Sequence, residues 1–225
     1  MQNYFEGMAD ESRRQHPWTV SSRNSELKYY DFKKQPELVS EVLEDFKAWE
    51  HYEAVQHFYE MIRWLNGPNS NLETSDCGFR GPRENDQRAQ WPKKLVCNGG
   101  LFVFFRNVQF NLSDENKEWS KEYLAGQSPE TFKPSKYLTW LIDSSLELIT
   151  QINRQYKWAC ISVGLMSILF VEAPVPEDEQ LGYQIVYRFW AWGDSEQEVM
   201  ENFKYVVDTL LRCFTQLSGE VMTSN

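Results

Sequence analysis

Tyr183-Gln184-Ile185-Val186-Tyr187-Arg188-Phe189-Trp190-Ala191-Trp192 decides the fold. Aromatic and β-branched residues dominate it, and such side chains suit a pleated surface. Its odd positions (Tyr183, Ile185, Tyr187, Phe189, Ala191) make one apolar face, predicted to lie against helices. The even positions (Gln184, Val186, Arg188, Trp190, Trp192) make a mixed face, predicted to stand partly open to solvent.

Upstream, Trp158 to Val171 is apolar but broken by Ser162, Gly164 and Ser167. It falls short of the roughly 18 to 20 apolar residues of a membrane span. A buried strand bent at Gly164 is the expected structure. Between the two runs lie Pro174 and Pro176 with Glu172, Glu177, Asp178 and Glu179, so the pair reads as an antiparallel hairpin with a long acidic tip. Downstream, Ser195 and Glu198 have the spacing of a capping box, and Asp194 and Glu196 suit the positive end of a helix dipole. Val199, Phe203, Val206, Leu210, Phe214 and Leu217 then keep helical spacing, predicting a helix over 195–217 with a stop near Gly219.

The remaining chain supplies further layers. Val39, Phe46, Trp49, Tyr52, Val55, Ile62 and Leu65 keep helical spacing between Pro36 and Asn66-Gly67-Pro68, predicting one long helix over 36–65 or two joined by a bend near Trp49. Pro134-Ser135 opens a second helix over 135–154, with Leu138, Leu141, Ser145, Ile149 and Ile152 on one face. A strand is expected over 101–112, with Phe102, Phe104, Val108, Phe110 and Leu112 sharing a face, Arg106 at a bulge or edge, and Gly99-Gly100 as a preceding turn. Residues 114–124 read as a short helix, 1–25 as a loose arm docking through Trp18, and 66–94 as a long loop, the one locally basic region. No linker divides the chain, so a single domain is expected. The fold class is α+β: an antiparallel sheet of strands near 101–112, 158–171 and 181–192 packed with helices near 36–65, 135–154 and 195–217.

The net charge is −10, and residues 158–225 hold 10 acidic side chains against 3 basic ones. Nucleic-acid binding needs clustered Lys and Arg, so no nucleic-acid partner is expected. The N-terminus lacks a basic start and an apolar run, so no secretory leader is read there. Cys77, Cys97, Cys160 and Cys213 form no CxxC pair. Cys160 and Cys213 sit in apolar runs as core thiols, the pairing of Cys77 with Cys97 stays open, and a reduced cytoplasmic setting is expected. Glu53, His57 and Glu60 share a helix face, but without a second His four residues on they read as surface ion pairing rather than a metal site. Nucleophile-elbow and phosphate-loop patterns are lacking, so no catalytic, metal or cofactor residue is assigned.

Three groups remain as candidate contacts. Glu177, Asp178 and Glu179 at the hairpin tip suit a basic partner, and stand about ten residues, roughly 30 Å, from the acids of the helix start. Arg188, Trp190 and Trp192 share the mixed face, and aromatic–arginine patches are typical binding hot spots. Asp76, Arg80, Arg83 and Asp86 in the 66–94 loop suit a ligand or a partner. The reading adopted is a cytoplasmic acidic binding protein that occludes a basic protein, in the manner of a bacterial immunity protein neutralising a toxin. An enzyme with its site around the 66–94 loop and a structural homo-oligomer are the alternatives.

Overall fold

The computed structural model describes residues 4–5, 14–15, 19–21, 28–30, 32–112, 134–155, 158–171 and 179–223. It has four short strands, β1 (Tyr4–Phe5), β2 (Arg14–Gln15), β3 (Thr19–Ser21) and β4 (Lys28–Tyr30), then α1 (Leu38–Val42), α2 (Glu44–Lys47) and α3 (Glu53–Asn66). There follow β5 (Leu72–Glu84), β6 (Leu95–Phe105), a 3-10 turn at Val108–Phe110, α4 (Lys136–Gln155), β7 (Ala159–Val171), β8 (Glu179–Gly193) and α5 (Glu196–Thr223). The fold is α+β, with a four-stranded antiparallel sheet in the order β7-β8-β6-β5 packed against helices.

The β7–β8 pairing runs unbroken from Ala159↔Ala191 to Val171↔Glu179, so Gly164 lies in regular ladder and produces no bend. The five odd residues of β8 from Tyr183 to Ala191 are all buried, Tyr183 at 2% exposure and Ala191 at 0%. Helices cover them. Phe203 and Phe214 of α5 meet Phe189 and Tyr187 at ring separations of 5.3 and 4.9 Å, and Phe58 of α3 stands 6.2 Å from Phe189. Ser145 of α4 and Tyr187 share a buried hydroxyl–hydroxyl hydrogen bond of 2.8 Å. The α5 stripe from Val199 to Leu217 is buried as its spacing predicts. The Ser195 hydroxyl accepts from Glu198 N–H at 3.2 Å, while the Glu198 carboxylate accepts from Asp194 N–H at 2.8 Å.

The last helix also runs past the expected stop at Gly219, to Thr223, and four larger expectations need correction. Most of the expected 66–94 loop is the edge strand β5, paired with β6 from Leu72↔Phe105 to Glu84↔Leu95. Its polar residues are held by tertiary neighbours: Thr74 hydrogen-bonds to Asn66 at 2.8 Å, and Ser75, the extra residue at a register shift, donates to Gln184 at 2.5 Å. Second, β6 starts at Leu95 and ends at Phe105, so Gly99-Gly100 is strand rather than turn, and Val108–Phe110 has left the sheet. The helix-facing side of β6 is Leu101, Val103 and Phe105, not the side of Phe102 and Phe104, because Leu101 and Val103 register with Tyr187 and Ile185. Third, the 36–65 helix is three segments. The chain breaks at Leu43 and again over 48–52, which folds Phe46 back between Phe58 (4.4 Å) and Phe79 (4.7 Å). Trp49 lies flat on Gly81, where a Cβ would sit 2.0 Å from the indole nitrogen.

Fourth, the arm is paired where it is described: Tyr4 registers with Gly164 and Arg14 with Phe170, both parallel to β7, while β3 pairs with β4. Trp18, the 114–124 helix and most of the 172–180 tip lie outside the described residues. No helix among the described residues is long and apolar enough to cross a membrane.

Candidate functional site

Side chains alternate across a strand, so residues between the helix-packed ones of β5, β6, β7 and β8 project from the outer face of the sheet. Register sorts them into rows. Asp76, Phe102, Val186 and Gly164 form one row. Gly78, Gly100, Arg188 and Ser162 form the next, and Arg80, Asn98, Trp190 and Cys160 the third. Side chains are thus missing from half of the middle row. A Cβ added at Gly78 would meet no atom within 4 Å, and one at Gly100 only a backbone oxygen at 3.8 Å. The outcome is a bare shelf of backbone with exposed Arg188 on one side, exposed Arg80 diagonally opposite and half-buried Phe102 and Trp190 at its borders.

Gly99, between these rows, faces the other way: a Cβ there would lie 2.3 Å from the Gly78 carbonyl oxygen and 2.5 Å from the Phe189 ring. The absence of a side chain at 99 lets Phe189 pack flat beneath the strand. At 78 and 100 it leaves the outer surface open.

The sequence-predicted contacts divide on this frame. Arg188 and Trp190 are on the shelf, but Trp192 is covered, at 4% exposure, with Trp91 stacked on it at 4.4 Å. The expected open face is therefore narrower than the alternation implied. Glu177 and Asp178 lie outside the described residues, and Glu179 opens β8 opposite Val171. Asp76, Arg80, Arg83 and Asp86 sit along and beyond β5 rather than round a loop, so they do not converge. Asp76 is 8% exposed and accepts from Cys77 N–H at 2.8 Å. Arg83 donates to Asn98 at 2.6 Å, and Asp86 is exposed past the strand end.

Two of the acids at the α5 start, Asp194 and Glu198, are tied down. Lys93 donates to Asp194 at 2.7 Å and to Glu198 at 2.6 Å, with its ammonium 5.0 Å from the Trp158 ring. The hydrogen bond from Lys93 leads the causes that hold both carboxyls below their ordinary values. Cys77 and Cys97 are free thiols. Four register steps along the sheet, roughly 13 Å, separate Cys97 from Leu101, the partner of Cys77, which is too far for a disulfide. Burial pushes the Cys97 thiol up to about 12 and the Cys77 thiol well above its usual range.

Sequence reasoning missed two polar clusters. Glu73 is wholly buried on β5 and pairs with Lys33 and with Arg106, whose Nε stands 2.9 Å from the carboxylate and whose Nη2 donates to the Gly67 carbonyl at 2.7 Å. Nothing local signals this, because the partners are 40 and 33 residues away by their numbering. His57 bonds Asp208 of α5 at 2.6 Å and stands 3.3 Å from Glu53, with Lys204 joining Asp208 at 2.9 Å. Burial pushes the Asp208 carboxyl up, and the bonds from His57 and Lys204 outweigh it and hold the group low. The expected surface ion pairing of His57 is therefore part of a clasp between α3 and α5. Among the described residues no group of three or more His, Cys, Asp or Glu side chains is placed to hold a metal. A shallow crevice between α4, α5, β5 and β6, too narrow to hold a water molecule, is lined by Asn71, Leu72, Phe105, Trp140, Leu141, Leu217 and Ser218, none of them ionisable.

The chain matches no family model, no curated protein and no solved structure.

Proposed function

We propose that this chain is a binding protein that occludes a basic protein partner, with neutralisation of a basic toxin as its specific form. The observation that carries the reading is the acidic excess among the exposed side chains described on the helices. On the helical side, Glu41, Glu44, Glu60, Asp143, Glu147 and Glu201 are all exposed, while Lys47, Lys136 and Arg212 are the exposed basic residues among the side chains described on those helices. A net charge of −10 adds a long-range field of the same sign. Fields of this kind raise association rates with a partner of opposite charge, and salt screens them. Affinity then comes from close contact, for which apolar and aromatic side chains on the same surface are suited, such as the half-buried Tyr52, Trp64 and Trp140.

The test is capture from native lysate of the source cells by the tagged full chain, followed by stopped-flow association with the purified partner. A stoichiometric basic protein is expected, with an association rate that falls steeply as salt rises. Reversing Glu41, Glu44 and Glu60 to Lys should slow association while the melting temperature holds. A neutral or acidic partner, or an association rate indifferent to salt and to these reversals, overturns the reading.

A further inference from the structure

We propose that Arg80, Arg83 and Asn98, at the far end of β5 and beside it on β6, form a binding site for a phosphate monoester. The site goes beyond the basic-partner reading and does not rest on it, because it lies on the sheet rather than on the helices and takes the opposite charge.

A β-bulge builds it. Arg80 registers with Asn98 and Arg83 with Val96, so Gly81 and Pro82 together stand opposite Cys97. Residues three apart in a regular strand point to opposite faces, whereas the extra residue turns Arg83 back to the side of Arg80. Asn98 and Val96 are two residues apart on β6, which sets the Cα atoms of the two arginines about 7 Å from each other. Both bulge residues are constrained. Pro82 has its φ fixed by its own ring, and a Cβ at Gly81 would sit 2.0 Å from the Trp49 indole nitrogen.

The two charges have no counter-ion. Both arginines are exposed. Arg83 donates to the Asn98 side-chain oxygen at 2.6 Å and to the Val96 carbonyl at 3.4 Å, and both acceptors are neutral. Among the described residues neither guanidinium pairs with a carboxylate. Glu84, the next residue, registers with Leu95 on the other face and is bonded by Arg88 at 3.2 Å. In a chain of −10, two neighbouring cations without an acid between them suit an anion from outside. Arg80 offers its whole fork of donors, Arg83 the N–H groups that Asn98 and Val96 leave over, and Asn98 its amide N–H₂.

Guanidinium forks bind phosphate oxygens in bidentate fashion. A phosphate monoester carries close to two negative charges at neutral pH and three acceptor oxygens, enough for two forks and an amide. A carboxylate brings one charge and two oxygens. A nucleic-acid backbone draws its affinity from many phosphate contacts, more than two arginines supply. The field of the −10 chain is screened beyond about 10 Å at 0.1 M salt, so the adjacent arginines dominate at contact.

The experiment is isothermal titration of the full chain in about 0.1 M salt. The probes are a capped glycine–phosphoserine–glycine peptide and ribose 5-phosphate, which stand for a protein-borne and a free source of the same group. The unphosphorylated peptide and acetate are the controls. Saturable binding of a phosphate ester and of neither control is expected, and the tighter ester identifies the source. Arg80→Gln and Arg83→Gln should each weaken binding by about tenfold or more, the scale of losing one charge-assisted contact. Lys47→Gln removes the same charge from α2 and should leave binding unchanged. The melting temperature of Arg80→Gln should hold, since among the described residues its side chain has no partner to lose. Absence of saturable binding by both esters, equal binding by the arginine variants, an equal loss in Lys47→Gln, or binding of acetate as tight as that of the esters would each overturn the proposal.

Discussion

Three neighbouring glycines offer a sharp test of which way the sheet faces. Gly99 and Gly100 are adjacent on β6, and Gly78 lies beside Gly100 on β5. A methyl at Gly99 would stand 2.3 Å from the Gly78 carbonyl oxygen and 2.5 Å from the Phe189 ring. Ordinary contact begins near 3.4 Å, so one of the two must retreat by about 1 Å. The oxygen belongs to the paired backbone, and the ring is held between Phe58 and Phe203, so neither moves freely. Overpacking of this kind costs about 1 to 3 kcal/mol, and Gly99→Ala belongs at the upper end because a backbone atom blocks it. For a chain of this length that lowers the melting temperature by roughly 6 to 12 °C. Gly100→Ala meets only an oxygen at 3.8 Å and Gly78→Ala meets nothing, so both should hold or gain up to about 1 kcal/mol through a stiffer unfolded chain. Urea titration and thermal melting by circular dichroism give all three values. If Gly99→Ala is as stable as Gly100→Ala, the facing of β6 is wrong and the shelf falls with it.

Glu73→Leu in an otherwise intact chain should lose about 3 to 5 kcal/mol in urea titrations, since it leaves Lys33 and Arg106 beside an apolar side chain in place of their shared carboxylate. Acid sensitivity should trace to Lys93. It lowers the Asp194 and Glu198 carboxyls in the folded state, so their contribution is complete above the unfolded carboxyl range near pH 4 and is lost as pH falls through the lowered folded values. Lys93→Met should therefore flatten the stability profile between about pH 5 and 2 relative to the native chain, and an unchanged profile would assign the acid sensitivity elsewhere. Cys97, buried and raised to about 12, should resist a thiol reagent at pH 8 until the chain unfolds, as followed by mass spectrometry of the labelled peptide. Rapid labelling of Cys97 in the native chain would contradict its burial in the sheet.

Two patterns carried the fold from sequence alone. The odd residues from Tyr183 to Ala191 and the three-to-four stripe from Val199 to Leu217 form uniformly apolar sides, and both are buried, although Gln184 and Val186 on the mixed side of β8 are buried too. One-sided patterns are legible because a single register or rotation buries them. The site is legible only in part: Arg188 and Trp190 stood out on the mixed face, whereas the glycine floor beside them comes from β5 and β6 and exists only once those strands are paired. In β6 both faces are apolar, so alternation could not choose between Leu101-Val103-Phe105 and Phe102-Phe104; pairing with Tyr187 and Ile185 chose. In β5 the run Glu73-Thr74-Ser75-Asp76 and the later Gly81-Pro82 look like loop, because polar groups are costly to bury without partners. Their partners Asn66, Gln184, Lys33 and Arg106 are supplied by other elements. What the sequence alone determined is the set of elements whose burial is written into their own periodicity. What only the tertiary structure decided is where polar and glycine-rich strands belong, because their stability resides in hydrogen bonds and ion pairs to residues far along the chain.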